Sequence, residues 1–253
     1  NLLEAMTSQK KWFPYNKGGS YRKWFGNQEY VVNWENDGEE IKLFREFKNQ
    51  TLTSSMGVAG LPFIFKPNIT WSKISAGTFS VRYLPNGFLF DVSGCSIYED
   101  DILTSLIGLL NTKVITKLIG EISPTINYEV GHIKALPICN ESLTNNTHKI
   151  VENNISISKE EWNTRETSWD FKQNELIRLV DGNLENSYHL YTKYWAEHFA
   201  TLHANEEELN RQFIDIYGLQ DELTPEVSFE DITLLKDEVK IVDGKLEFQT
   251  KEI

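Results

Sequence analysis

Between Asn183 and Tyr217 the apolar residues Tyr188, Tyr191, Trp195, Phe199, Leu202, Leu209, Phe213 and Ile216 recur at mostly three- and four-residue steps, with Glu206 the only polar break from Trp195 onward. That spacing puts them on one face of an α-helix. Gly218 supplies a natural stop, and Pro225 bars continuation soon after. At 1.5 Å per residue the helix would be roughly 50 Å long. A single narrow stripe of that length calls for a partner helix. The acidic run Glu206-Glu207-Glu208 inside it reads as a solvated face rather than a metal site.

The second strongly patterned region is Gly60 to Ile138. Three β-patterned runs, Ile69 to Trp71, Thr78 to Leu84 and Phe88 to Val92, are rich in aromatic or β-branched residues and bounded by Gly, Pro or Asn. The Pro85-Asn86-Gly87 break can take φ > 0 at little cost, so the last two runs are expected to pair as a hairpin. From Asp100 to Ile122 one amphipathic helix is expected, and the following SPTINYEVGHIKALPI returns as a strand that carries His132. Upstream, Glu29 to Trp34 reads as a strand, Asn36-Asp37-Gly38 as a turn and Glu39 to Lys48 as a short amphipathic helix, with Thr51 to Gly60 a flexible loop.

Past Pro137 the character changes. Asn140 to Ser158 is rich in Asn, Ser and Thr and reads as a linker, and Ser158 with Glu161 reads as a capping box opening a short helix. Trp162, Trp169 and Phe171 read as anchors that dock the arm, and Ile241 to Phe248 as a terminal hairpin. The fold class is therefore α+β: a twisted, mostly antiparallel sheet with packed helices over residues 1–140, then a mainly helical arm over 141–253.

Several function classes are excluded by composition. With 40% hydrophobic and 25% charged residues the chain is an ordinary globular one. Two cysteines, Cys95 and Cys139, make neither a disulfide framework nor a zinc site, which suits a reducing, cytoplasmic compartment. No apolar run approaches the roughly 20 residues that span a bilayer, so no membrane partner is expected. Asn1 opens without a Met or a signal-like region, and the chain is expected to be part of something longer. The histidines show no catalytic spacing, since His198 and His203 are five apart and His189 nine from His198. Asp231, Glu238 and Lys240 match a nuclease pattern only loosely, in a tail where acidic residues are frequent.

A net charge of −12 opposes nucleic-acid binding until it is divided by segment. Residues 1–137 hold 14 Lys and Arg against 13 Asp and Glu, whereas 138–253 hold 11 against 24. Only the first half is electrostatically free to approach phosphates. There Lys17-Gly18-Gly19-Ser20-Tyr21-Arg22-Lys23-Trp24 interleaves cations with aromatics, a composition suited to phosphate positioning and base contact. The same stretch fits a plain loop leading into the next strand, with Tyr21 and Trp24 in the core.

A resemblance bears on that choice. Ile69-Thr70-Trp71-Ser72, Leu109-Leu110-Asn111-Thr112-Lys113, Pro124-Thr125-Ile126-Asn127 and Gly131-His132-Ile133-Lys134-Ala135-Leu136-Pro137-Ile138, in that order, resemble the target-recognition domain of adenine-specific DNA methyltransferases, the Taq-type and Type I specificity-subunit group. Tyr15 to Lys42, Ile157 to Ile177 and Asn205 to Val227 are similar to a narrower group, the PglX methyltransferases of BREX phage-defence systems. The resemblance implies double-stranded DNA as partner, together with an N-terminal methyltransferase domain of the same parent chain and other defence-system proteins. It adds weight to Lys17, Arg22, Lys23 and Lys73 among the candidate cations Lys17, Arg22, Lys23, Lys66, Lys73 and Arg82. The expected DNA-facing set is Lys17, Tyr21, Arg22, Lys23, Lys73 and Arg82, with Trp71 as apolar support.

Catalysis of that type implies an Asn/Asp-Pro-Pro-aromatic motif that holds a flipped base, and this sequence has no Pro-Pro pair. It also lacks the Gly-rich strand-loop that cradles S-adenosylmethionine. The cofactor is thus expected in the parent protein and not in this segment. Two other readings stand beside this one: a specificity subunit acting through partner subunits, for which a second copy of the recognition unit would be expected, and an aromatic-rich carbohydrate-binding module, against which the long helix argues.

Overall fold

The long helix organises the molecule. A computed structural model describes residues 2–48, 60–99, 102–144, 147–236, 238–243 and 245–249. In it α9 (Leu184–Tyr217) runs for 34 residues, its N-terminus capped by the Asn183 side chain accepting from Asn186 N–H and its C-terminus by Gly218 at φ 65°. Its buried stripe contains Trp195, Phe199, Leu202, Leu209 and Phe213. The partners it requires are α3 (Leu103–Leu110), α4 (Lys113–Ile122), α6 (Asn140–Thr144), α7 (His148–Trp162) and the short α8 (Glu175–Arg178).

Two small three-stranded sheets precede these helices in the chain. In the first, β1 (Trp12–Asn16) lies between β2 (Tyr30–Asn33), antiparallel, and β5 (Leu89–Phe90), parallel. In the second, β3 (Asn68–Ser72) lies between β4 (Arg82–Leu84) and β6 (Gly94–Ile97), both antiparallel. Helices α1 (Leu2–Thr7) and α2 (Glu35–Lys48) lie together beside the first sheet, and α2 includes Asn36, Asp37 and Gly38 in left-handed conformations where the turn is expected. The chain ends in the hairpin of β7 (Val239–Val242) and β8 (Lys245–Phe248). The observed class is α+β with a helical C-terminal arm, as the sequence implies.

Every residue of β3 is buried, yet the strand alternates. Ile69 and Trp71 enter the main core with α3, α4, α7 and α9. Thr70 and Ser72 point to the other face, where the end of β1 and the backbone after it cover them: Asn16 Nδ2 donates to Thr70 Oγ1 at 2.6 Å, and Ser72 Oγ accepts from Gly19 N–H at 2.9 Å. The main core runs without interruption from this sheet to α9. A smaller core of Phe13, Trp34, Ile64, Phe65 and Leu89 lies beside the first sheet.

The existence of two cores explains a correction. The Asn86-Gly87 turn is present, with Gly87 at φ 100°, but its flanking runs do not pair with each other. Phe65 takes the turn's backbone, donating to Phe88 O at 2.8 Å and accepting from Gly87 N–H at 3.1 Å. Leu89 then joins the smaller core while Val81 and Tyr83 join the main one, so the expected hairpin is split between two sheets.

Four further expectations are corrected. The helix expected from Asp100 to Ile122 is two, α3 and α4, bent by 74° at Asn111-Thr112. Asn111 lies at the corner and binds the backbone of Val81, accepting from its N–H at 2.9 Å and donating to its carbonyl at 3.1 Å. The segment expected to return as a strand instead forms a short helix, α5 (Val130–Lys134), whose start is fixed by Glu129 N–H donating to His132 Nδ1 at 3.3 Å. The linker Asn140 to Ser158 is helical, forming α6 and most of α7. Ser158 is not a cap but a buried residue within α7, one of the stripe Val151, Asn154, Ile157, Ser158, Glu161 and Trp162. The loop expected at Thr51 to Gly60 lies, apart from Gly60, outside the described residues.

Among the described residues no single helix is long and apolar enough to cross a membrane; the bent pair α3 and α4 approaches that composition, but much of it is core.

Candidate nucleic-acid interface

The loop from Lys17 to Gln28 connects β1 to β2 across the polar face of β3, and its backbone is shaped for close approach. Gly18 sits at φ 76°, and a Cβ there would come within 2.8 Å of the Ser93 carbonyl. Gly26, at φ 125°, leaves room for the Arg22 side chain and the Trp162 ring. Trp24 is completely buried and behaves as a short strand: its N–H donates to Val81 O at 3.0 Å and its carbonyl accepts from Tyr83 N–H at 2.8 Å. The loop is thereby stitched to β4.

The six candidate residues fall into two groups. Arg22, Lys23 and Arg82 are interior, at 5%, 8% and 1% exposure. Arg22 forms an ion pair with Glu161 of α7 and lies 5.0 Å from the centre of the Trp162 ring. Lys23 Nζ meets Glu206 of α9 at 2.6 Å. Burial works to lower the Lys23 pKa, but the Glu206 carboxylate outweighs it and the ammonium is held well above its ordinary range. Among the described residues Arg82 forms no ion pair with a carboxylate. Its guanidinium donates at long range to Arg22 O (3.4 Å) and Ser72 Oγ (3.3 Å), and its Nε has no partner among the described residues. Burial, reinforced by the charge of Arg22, pulls its pKa down to about 10.

Lys17, Tyr21 and Lys73 are at the surface. Lys17 is exposed, 5.5 Å from the Tyr30 ring. Tyr21 is half-buried against Gly77, with Lys236 lying 5.2 Å from its ring. Lys73 pairs with the half-exposed Glu129 at 3.0 Å and stays one-third exposed. The backbones of Gly18, next to Lys17, and of Lys73 meet at Ser93, whose carbonyl accepts from Lys73 N–H at 3.0 Å and abuts Gly18. The chain leaving Lys73 pairs with the segment before α5, through the Ile74–Asn127 bridge and Ser75 N–H to Ile126 O at 3.1 Å. Ile74, Val92 and Ile126 are exposed on these same loops. Trp71 is not at this face. It is 1% exposed, and its indole N–H donates to Tyr128 O at 2.8 Å.

A cleft of about 300 Å³ opens beside the loop cluster, lined by Thr78, Phe79, Thr125, Ile126 and Tyr128 among others. A larger cavity of about 470 Å³ lies between β6, α3, α5 and α6 and is mainly apolar, lined by Trp71, Ile97, Leu106, Ile133 and Leu143, with Glu99 and Lys134 as its charged members. None of the six candidate residues lines it.

Two residues of this region were not visible as such in the sequence. Glu161 accepts from both Arg22 and Arg165, and Glu206 accepts from Lys23 on one oxygen and from the Trp24 indole N–H, at 2.7 Å, on the other. The one available signal was Glu206 as a polar break in an apolar stripe. Glu207 and Glu208 are engaged separately, with Val227 N–H and with Arg211 and Gln212.

The described residues hold no group of three or more His, Cys, Asp and Glu set to bind a metal ion. Nor do they form the extended parallel sheet with a helix N-terminus at its edge that holds a nucleotide cofactor; the parallel pairings among them are two residues of β1 with β5 and the Trp24–Arg82 bridge.

Comparison with known proteins places the chain among relatives. It is 41% identical over 232 residues, 89% of its length, to the adenine-specific methyltransferase PglX of Lacticaseibacillus casei. It is 34% identical over 229 residues, 88% of its length, to the adenine-specific methyltransferase BrxX of Escherichia coli. The resemblance to PglX-type methyltransferases is thus borne out. The chain spans about a fifth of either relative, 19% of the first and 18% of the second. No family model matches it.

Proposed function

We propose, from this homology, that the chain is the DNA sequence-recognition segment of a site-specific N6-adenine DNA methyltransferase in a phage-defence or restriction-modification system, without the catalytic domain. The observation that carries the proposal is a 41% identity along nearly the whole chain to an adenine-specific methyltransferase, in a sequence that contains no Pro-Pro pair. Residues 1–140 carry the DNA face in this reading, and 141–253 form the arm that braces it. Methyl transfer, and the S-adenosylmethionine it consumes, belong to the rest of a longer cytoplasmic parent.

The DNA-facing group is narrowed on physical grounds. A cation that is 5–8% exposed and already bonded to a carboxylate would have to break a buried ion pair to reach a phosphate, which leaves an uncompensated charge inside. Lys17, Tyr21 and Lys73 have no such obstacle. Lysines at loop tips fix register on phosphates or meet base edges, and a half-exposed aromatic beside them offers apolar contact.

The test is to replace Lys17 and Lys73 singly by Ala in the full-length protein and to follow adenine methylation and salt-dependent duplex binding. Removing a lysine that neutralises a phosphate should weaken all sequences alike and flatten the salt slope by about 1; removing one that reads a base edge should cost about 1–3 kcal/mol and relax specificity at one position. If both substitutions leave methylation and binding unchanged, the face lies elsewhere.

A further inference from the structure

We infer that Glu161 and Glu206, on two helices that contribute nothing to the DNA face itself, are positioning residues for the recognition loop, and that Arg22 and Lys23 anchor that loop from within. The inference rests on the DNA-facing reading proposed for Lys17, Tyr21 and Lys73 and extends it to residues that would never touch DNA.

The loop between Lys17 and Gln28 has little regular structure of its own, yet every residue from Arg22 to Gln28 is buried. Something other than its local conformation holds it. On one side it is bonded to the sheet, through Gly19 to Ser72 and through Trp24 to Val81 and Tyr83. On the other side consecutive cations diverge to different helices, Arg22 to Glu161 on α7 and Lys23 to Glu206 on α9. Lys23 N–H adds a bond to Thr233 Oγ1 at 3.2 Å, beyond α9. Both carboxylates are 97% removed from solvent at the side chain, and each receives two donors, so sliding the loop to another register would break charge-assisted bonds to a buried carboxylate.

Buried ion pairs are weak contributors to net stability, because desolvation offsets their attraction, but breaking one strands a charge at high cost. Such a pair therefore selects one arrangement over its neighbours more than it deepens the native minimum. Here the arrangement selected is the one that leaves Lys17, Gly19, Ser20 and Tyr21 as the outward part of the loop. A displacement of about 1 Å at these anchors would be felt directly in how that part meets a duplex.

The experiment uses the full-length protein, with Lys23→Met, Glu206→Gln, the two combined, and Lys17→Ala as reference. Binding is measured over a salt series to a duplex carrying the sequence methylated in host DNA and to a scrambled duplex. Lys23→Met is expected to lower the ratio of target to scrambled affinity about tenfold with an unchanged salt slope, and the double variant to recover most of it. Loss of folded protein alone would not change that ratio for the molecules that remain folded. Should Lys23→Met fail to fold, Glu161→Gln, which keeps one acceptor oxygen, is measured instead, with a fall of about threefold expected from weakening its charge-assisted bonds to Arg22 and Arg165. A salt slope flattened by about 1 in Lys23→Met, as for a residue that neutralises a phosphate, with no recovery in the double variant, overturns the inference. So does an unchanged ratio in the anchoring variants while Lys17→Ala still weakens binding. Absence of binding by the wild type, or no effect of Lys17→Ala and Lys73→Ala, refutes the DNA reading itself.

Discussion

Replacing Asn111 by Ala should destabilise the protein far more than an ordinary polar-to-Ala change. Asn111 lies where α3 turns into α4, and its amide imitates a neighbouring strand by exchanging two hydrogen bonds with Val81, itself completely buried. The Val81 carbonyl has a second donor, Trp24 N–H at 3.0 Å, whereas its N–H has no second acceptor among the described residues. Truncation therefore leaves one buried donor unsatisfied, costing about 1–3 kcal/mol, and removes a second bond worth about 1 kcal/mol, for a total of roughly 2–4 kcal/mol. For a chain of this size that corresponds to a fall in Tm of about 5–15 °C. Asn111→Asp should not rescue, since it keeps the acceptor but sets a carboxylate oxygen against the Val81 carbonyl. Urea unfolding at matched m-values measures the loss, and hydrogen exchange at Trp24 and Tyr83 reports whether the loop loosens with it. A loss below about 0.5 kcal/mol, the range of ordinary surface changes, would refute the account of the corner.

The caps of α9 should be separable from its packing: Asn183→Ala is expected to cost about 1 kcal/mol, and Gly218→Ala, forced to keep φ 65°, about 1 kcal/mol, both read by thermal melting. Trp169, stacked on Phe88 at 5.7 Å and half-exposed, should cost about 0.5–1.5 kcal/mol beyond its area burial when changed to Ala, with reduced protection confined to the Phe65 to Leu89 neighbourhood. Stability should fall at alkaline pH. Tyr15, through burial and then Asp91, and Tyr98, through burial, are pushed up to about 12, so the unfolded state releases these protons near pH 10 while the folded state keeps them. The contribution is fully present below pH 10 and is lost as pH rises through about 12, which ultraviolet titration of tyrosinate alongside melting would register.

How much of this was legible in the sequence depended on whether a residue's burial matched its polarity. The long helix was readable to its caps because its stripe is apolar and its stop is a glycine, and the terminal hairpin because its strands alternate. The linker expected at Asn140 to Ser158 concealed α7, whose inward stripe includes Asn154, Ser158 and Glu161, so a helical period exists that hydrophobicity does not trace. The hairpin expected at Thr78 to Val92 failed for a different reason: the turn chemistry was sound, but competition from Phe65 and from a second core decided the pairing. The candidate site was legible as a composition and not as a geometry. Arg22 and Lys23 look like surface cations in any local window, and their partners lie 139 and 183 residues away.

Burial of those cations also changes what the charge balance means. The first half holds 14 cations against 13 anions, but Arg22, Lys23 and Arg82 are interior and contribute little to the field outside. Glu161 and Glu206, counted with the acidic second half, neutralise two of them internally. The outward face around Lys17 and Lys73 is thus less positive than the sequence arithmetic suggests, and those two lysines can neutralise about two phosphates. With a salt slope of about −0.9 per phosphate neutralised, that is too little for tight non-specific binding. In a DNA-reading segment built this way, affinity must come chiefly from the rest of a longer protein. On the proposed DNA reading, the contribution left to this chain is discrimination, which demands a loop held in one place more than it demands charge, and a loop bonded on one side to a sheet and on the other to two buried carboxylates meets that demand.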